Sequence, residues 1–218
     1  MDDWGRSRTR GSSPVMWMRG GAGAGKSTLA QTIAMMYKRE ALLVGEFLFS
    51  NRRPNRSDGK ALILTLVLQL IIVSPDIGPL VFDEIKKNPM ILSSSPEEHI
   101  QRLFIGPLNT LNITKSRPFR QHLIQLLYIL IFLLQLIAGP IFGNFYAGFN
   151  TFRAPSTIPK PQPTLIIIDG LDECDDAALQ TRLIRIIGSA LPQLCQPLRF
   201  LISSRPEAHI VREGFRFF

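Results

Sequence analysis

Short apolar runs alternate along the chain with stretches in which apolar residues recur at helical spacing. Strands buried on both faces are apolar throughout, and this pattern is typical of a parallel sheet covered by helices on both sides. The apolar runs predict strands at Val15–Arg19, Ala41–Ser50, Thr164–Ile168 and Leu198–Ser203.

Helices are predicted between these strands. In the first of them, Leu29, Ile33 and Met36 recur at spacings of four and three. Ser95 precedes Pro96 and Glu98 and so has the signature of a helix N-cap. The predicted helices are Lys26–Lys38, Lys60–Val73, one from Ser95 to about Leu111, and Asp175–Leu191. Strands that alternate with helices predict an α/β three-layer sandwich with a mostly parallel sheet over residues 14–218, after a flexible polar lead at residues 1–13.

A glycine-rich turn joins the first strand to the first helix. It matches G-x-x-x-x-G-K-[ST], the phosphate-binding loop of nucleotide-binding proteins. Its glycines let backbone N–H groups approach phosphate oxygens, and the helix N-terminus adds partial positive charge. We expect Lys26 to reach the β- and γ-phosphates, Ser27 to ligate Mg²⁺ and Thr28 to touch the α-phosphate. The predicted nucleotide-binding residues are Gly20, Gly21, Ala22, Gly23, Ala24, Gly25, Lys26, Ser27 and Thr28. The alternative is a glycine-rich turn that has this spacing by chance. The predicted strand before the turn and the predicted helix after it argue against that alternative.

An acidic cluster follows the strand at Thr164–Ile168. Asp169 lies where that strand ends, which is where ligands of open α/β sheets bind, and is the predicted Mg²⁺ ligand, directly or through water. Glu173 is the first candidate for polarising the attacking water and Asp172 the second. The alternative is that these acids only cap the next helix, a role that we expect of Asp175 or Asp176.

Arg205 follows the last predicted strand, in the run Ser203-Ser204-Arg205-Pro206. If that strand lies beside the strand of the glycine turn, Arg205 points toward the γ-phosphate and can sense the nucleotide state. The alternative is a surface arginine in a turn.

Composition adds little to these motifs. The net charge is +8, but the basic residues are scattered or clustered in loops without aromatic neighbours, so no nucleic-acid partner is expected. Two cysteines provide no disulfide framework, and the polar N-terminus is not a secretory signal. These features fit a cytoplasmic chain. The three histidines are isolated, and we assign them no metal-binding role.

Three segments, in this order, carry a family resemblance: WMRGGAGAGKSTLAQTIA, LIIIDGLDEC and LRFLISSRPEAHI. They resemble fungal NACHT-domain NTPases of the nephrocystin-like N-terminal type, within the STAND class of signalling ATPases. The stretch from GEFLFS to LQLI resembles the second strand and following helix of that family. The resemblance covers roughly Val15–Asn112 and Thr164–Ile210.

The resemblance implies an ASCE-type P-loop NTPase fold, in which the strand at Leu198 lies between the strand of the glycine turn and the strand of Asp169. It implies an ATP-dependent switch in self/non-self recognition or programmed cell death, with effector and repeat domains and homo-oligomers as partners. The chain stops at Phe218, before the helical and winged-helix parts of such a switch, so the resemblance implies a fragment or truncated product.

A long apolar insertion, at about residues 115–160, departs from the family pattern. Gln121–Phe152 contains no Asp, Glu, Lys or Arg, and a membrane association through residues 123–142 is the alternative to a cytoplasmic location. A single crossing would separate Lys26 from Asp169, which must meet at one nucleotide. Three interpretations remain: non-native coding sequence such as a retained intron, a hydrophobic helix packed on the protein or on a membrane surface, or a true span that prevents the site from assembling.

The leading hypothesis for function is therefore the binding of ATP, or GTP, with Mg²⁺, followed by slow hydrolysis, in a nucleotide-dependent switch. A non-catalytic nucleotide-binding or interaction module is the second hypothesis. A membrane-associated protein with a vestigial P-loop is the third.

Overall fold

The computed structural model describes residues 13–51, 57–113, 164–195 and 198–217. These residues form four strands and a set of helices in alternating order. The strands are β1 (Val15–Arg19), β2 (Leu43–Leu48), β3 (Leu165–Asp169) and β4 (Arg199–Ser204). The helices are α1 (Lys26–Arg39), α2 (Lys60–Val73), α3 (Gly78–Lys87), α4 (Pro96–Glu98 continuing through His99–Ile105 and Gly106–Ile113), α5 (Ala177–Ala190) and α6 (Ala208–Phe217).

The four strands form one parallel sheet in the order β1-β4-β3-β2. β4 therefore lies between β1 and β3, and the predicted neighbourhood of the Leu198 strand is confirmed. The register places Arg19 opposite Ser204, and Leu48 opposite Asp169. Because parallel strands share one direction, the carboxyl ends of all four lie at the same edge of the sheet. The glycine turn after β1, the acidic cluster after β3 and Arg205 after β4 all follow from this edge.

Helices cover both faces of the sheet, as the apolar strands predicted. On one face α1 packs its buried residues against alternate residues of β3 and β4; this cluster includes Ala30, Ala34, Tyr37, Leu165, Ile167 and Leu201. On the other face the remaining helices share a larger core with the intervening strand residues, among them Ile166, Ile168, Phe200 and Ile202. Alternation of side chains along a strand explains this division. The described part is thus α/β with a parallel sheet and is compatible with a three-layer sandwich.

Each predicted strand and helix exists; Val15–Arg19 and Lys60–Val73 have the predicted bounds, and the other boundaries differ by one to a few residues. Asp176 caps α5, because its Oδ1 accepts hydrogen bonds from the N–H groups of Ala178 (2.8 Å) and Leu179 (3.2 Å). Ser95 likewise accepts from the N–H of Glu98 at 3.4 Å. The helix that Ser95 begins is not uniform, because its middle turns, His99–Ile105, are π-helical. α3 and α6 were not among the predicted helices.

Among the described residues β2 is an edge strand of the sheet, and a side chain hydrogen-bonds to its outer side. The amide of Gln69, on α2, accepts a hydrogen bond from the N–H of Glu46 at 2.6 Å and donates one to its carbonyl at 2.9 Å. Gly45 makes this contact possible, because a Cβ at that position would lie 2.3 Å from the Gln69 Oε1. Unpaired strand edges are open to further pairing, and here one amide replaces a neighbouring strand at Glu46.

The predicted apolar insertion and the alternative membrane segment at residues 123–142 lie outside the described residues. Within the part that the structure describes, no single helix is long and apolar enough to cross a bilayer. One bent pair, Ala61–Val73 and Pro75–Lys87 at 117°, meets the length and composition test. Most of the apolar side chains of α2 are buried in the larger core.

Candidate functional site

The glycine turn after β1 has the backbone that its sequence requires. Gly23 and Gly25 have φ angles of 74° and 77°, a left-handed conformation that strains other residues. A Cβ added at Gly21, Gly23 or Gly25 would meet no atom within 4 Å, so the space beside the loop is open. The glycines are needed here for backbone conformation, and the open space lies where a ligand would approach.

Lys26 begins α1 and folds its side chain back over the loop. Its Nζ donates to the carbonyls of Gly20 at 2.6 Å and Gly21 at 2.8 Å. Gly25, the N-cap of α1, has no side chain with which to cap the first backbone N–H groups, and no acidic residue lies in the first turn. An ammonium beside a helix N-terminus favours an anion. Ser27 and Thr28 follow on the exposed first turn.

Asp169 ends β3 and is 4% exposed. Its Oδ1 accepts a hydrogen bond from the Ser203 hydroxyl on neighbouring β4. Its Oδ2 is buried and has no hydrogen-bond partner among the described residues. A buried carboxylate oxygen without a partner is costly unless a cation or water satisfies it, so this side chain fits the predicted metal ligand.

Glu173 and Asp172 lie on the single 3₁₀ turn Leu171–Glu173, which the left-handed Gly170 (φ 73°) introduces. Glu173 is half-buried, and its Oε2 accepts from the backbone N–H of Asn51 at 3.2 Å, just beyond β2. Asp172 instead faces β4, and both of its carboxylate oxygens contact Arg205. Of the two acids, Glu173 therefore has the more accessible carboxylate for polarising water.

Arg205 is the partner of Asp172. The Asp172 Oδ1 accepts from the backbone N–H of Arg205 at 2.8 Å, and the Oδ2 lies 3.1 Å from its Nε. The Asp172 side chain is 7% exposed and that of Arg205 is 47% exposed. The turn Leu171–Glu173, here called the acidic turn, thus sets the position of the arginine at the sheet edge.

The structure brings the predicted site residues to one edge of the sheet. β4 alone separates β1 from β3, and neighbouring strands lie about 4.8 Å apart, so the ends of β1 and β3 are about 10 Å apart. The glycine turn and Asp169 thus follow strands that a single strand separates, and their binding of one triphosphate and its cation stays a prediction. Among the described residues, no three His, Cys, Asp or Glu side chains form a metal cluster. Mg²⁺ does not need one, since it is commonly held by one or two carboxylates, water and phosphate.

Two residues at the site were not identified from the sequence. Ser203 contacts Asp169, as described above. Gln180, on α5, donates to the carbonyls of Asp172 (3.3 Å) and Cys174 (2.7 Å), and its Oε1 lies 2.6 Å from the Nε2 of His209. A buried glutamine on an amphipathic helix matches no motif, and only the three-dimensional contacts reveal that it holds the acidic turn against α5 and α6.

A model of one protein family, nephrocystin 3, N-terminal, matches residues 1–124 and 148–205. The matched ranges contain the glycine turn, the acidic turn and Arg205, and they leave out residues 125–147, which include most of the apolar run. Searches of curated proteins and of solved structures found no significant match. Because the two matched ranges make up well over half of the 218 residues, the chain belongs to the nephrocystin 3 N-terminal family.

Proposed function

We propose that this chain binds ATP, or GTP, with Mg²⁺ and hydrolyses it slowly as a nucleotide-dependent switch of the NACHT type. One observation carries the proposal. A single sheet edge presents the open glycine turn with the Lys26 ammonium and, two strands away, the buried Asp169, one carboxylate oxygen of which has no partner in the described part of the chain. Triphosphate recognition needs this combination of an anion-binding turn and a metal ligand.

The turn would hold the phosphates through its backbone N–H groups and Lys26. Ser27 and Asp169 would hold Mg²⁺, which when bound neutralises charge on the β- and γ-phosphates. Glu173 would orient the attacking water, since it lies on the same edge with a half-buried carboxylate. Asp172 would act through Arg205, because its oxygens are engaged by that residue.

A switch requires contacts that differ between the nucleotide states. Arg205 is suited to supply one, because its half-exposed guanidinium is held at the sheet edge by Asp172. A γ-phosphate would compete with this carboxylate for the guanidinium, and hydrolysis would return the arginine to Asp172. The nucleotide state would thereby be transmitted to the acidic turn and, through Gln180, to α5 and α6.

Membership of the nephrocystin 3 N-terminal family is consistent with this function. The resemblance to NACHT NTPases supports the more specific proposal of a signalling switch. On that basis we propose a cytoplasmic chain that works with effector and repeat domains and in homo-oligomers, and not with nucleic acid. The alternative location is a membrane association through residues 123–142, which lie outside the described residues.

The test is Mg²⁺-dependent turnover of ATP and GTP by the full chain. Glu173→Gln removes the carboxylate but keeps its shape, so we expect nucleotide binding to persist while hydrolysis falls by at least about 100-fold, the usual size of a general-base effect. Asp175→Asn is the matched control, because Asp175 is an exposed acid two residues further along. Hydrolysis that survives Glu173→Gln would contradict the role given to Glu173.

The rival functions predict other results. A non-catalytic nucleotide-binding module would bind Mg²⁺-ATP without turnover in the wild-type chain. A vestigial P-loop would show no binding.

A further inference from the structure

Ser203 is the one hydroxyl that contacts the Asp169 carboxylate in the described part of the chain. Its side chain is 1% exposed and lies on β4, between β1 and β3. The Ser203 Oγ accepts the backbone N–H of Gly170 at 3.0 Å. The same oxygen carries the hydroxyl proton that is donated to the Asp169 Oδ1.

The direction of these hydrogen bonds is determined by chemistry. An ionised carboxylate only accepts, and a hydroxyl has a single proton to donate. The Ser203 hydroxyl therefore donates its proton to the Asp169 Oδ1, while its oxygen accepts from the Gly170 N–H. The bond therefore restrains rotation of the carboxylate, and Oδ2 is the oxygen that has no hydrogen-bond partner among the described residues.

We propose that Ser203 is a positioning residue for the metal: it holds the Asp169 carboxylate by Oδ1 so that Oδ2 is presented to Mg²⁺. This inference rests on the proposed function, since it concerns the Mg²⁺ of the bound nucleotide. Residues that orient a metal ligand through a hydrogen bond commonly change metal affinity by about 10- to 100-fold when mutated.

The chain offers a matched control in the next residue. Ser204 is also buried, at 0% exposure, and its Oγ accepts from the Trp17 Nε1 at 2.9 Å, on the side of β1. Ser203→Ala and Ser204→Ala each remove one buried hydroxyl from the same strand. Only Ser203→Ala removes a contact to Asp169.

The experiment titrates Mg²⁺ into the full chain in the presence of a fluorescent ATP analogue and follows anisotropy. We expect Ser203→Ala to raise the Mg²⁺ concentration at half-saturation by about 10- to 100-fold while leaving binding of the analogue without Mg²⁺ unchanged. Ser204→Ala should leave both quantities unchanged. Ser203→Thr, which retains the hydroxyl, should restore Mg²⁺ affinity toward the wild-type value.

Several results would overturn the inference. These are an equal Mg²⁺ shift in both alanine variants, no shift in Ser203→Ala, or loss of Mg²⁺-free binding in that variant, which would indicate a general structural role. If the wild-type chain shows no nucleotide binding at all, the proposed function fails first and the role of Ser203 falls with it.

Discussion

Asp172 holds Arg205 through both oxygens of one carboxylate, one on the backbone N–H at 2.8 Å and one near the side-chain Nε at 3.1 Å. The acid of this pair is almost fully buried, whereas the arginine is half-exposed. The pair joins the turn after β3 to the end of β4, which are the two segments that flank the candidate metal ligand. Its strength therefore affects both stability and the freedom of Arg205 to move.

Asp172→Ala should lower the free energy of unfolding by about 1–3 kcal/mol, because two hydrogen bonds contribute about 0.5–1.5 kcal/mol each. Asp172→Asn should lie between this variant and the wild type, since its amide oxygen can still accept from the Arg205 N–H. Urea unfolding of the three chains measures the order. An alanine variant as stable as the wild type would show that the pair does not hold the turn.

Gly45→Ala should destabilise the chain by about 1–3 kcal/mol. The new methyl group would meet the Gln69 amide and displace it from the N–H and carbonyl of Glu46, with the loss of two hydrogen bonds. The same substitution in a Gln69→Ala background should have a smaller effect, because the amide is already absent. A double-mutant cycle by urea unfolding tests this coupling, and additive effects would contradict it.

Asp176→Ala should cost about 1 kcal/mol, since α5 would lose the N-cap that serves two backbone N–H groups. Asp175→Ala is the control at the adjacent exposed acid and should change stability by less than about 0.5 kcal/mol. Thermal or urea unfolding distinguishes them. Equal effects of the two substitutions would mean that the helix start depends on charge and not on the cap.

Glu213 should make stability depend on pH. The hydrogen bonds from Arg185 lower the pKa of the Glu213 carboxyl below its ordinary value. A lowered folded-state pKa stabilises the fold above the unfolded-state pKa, and this contribution is lost as pH falls through the lowered value. Wild type should therefore have a higher Tm than Glu213→Gln near pH 7, and the difference should shrink in acid. A difference that stays constant down to about pH 3, well below the ordinary glutamate pKa, would contradict the ion-pair explanation.

Patterns of neighbouring residues in the sequence were sufficient to predict the four strands, most of the helices between them and the glycine turn. The four strands consist mainly of apolar residues because helices cover both faces of the sheet, and the glycine turn has a sequence motif that requires a particular backbone conformation. The helix cap was predicted as Asp175 or Asp176, and the structure shows that it is Asp176; the position of the Leu198 strand was predicted through the family resemblance. These features depend on neighbours in the sequence or on a family pattern.

Features that depend on contacts between distant residues could not be predicted. Ser203 meets Asp169 only because β4 lies beside β3, and Gln180 meets the acidic turn only because α5 returns along the sheet. The pairing of Asp172 with Arg205 likewise follows from the strand order. His209 looked isolated in the sequence and in the structure lies against Gln180. The roles of Lys26, Glu173 and Arg205 toward a nucleotide stay predictions.

The central claim is that the Lys26 turn and Asp169 hold one Mg²⁺-nucleotide, and isothermal titration of the full chain with a non-hydrolysable ATP analogue tests it most directly. The titration is made with and without Mg²⁺ for wild type, Lys26→Ala and Asp169→Asn. We predict that Lys26→Ala loses binding under both conditions, and that Asp169→Asn keeps the Mg²⁺-free binding but loses the gain that Mg²⁺ provides. Wild type that does not bind, or Lys26→Ala that binds as wild type does, would contradict the account.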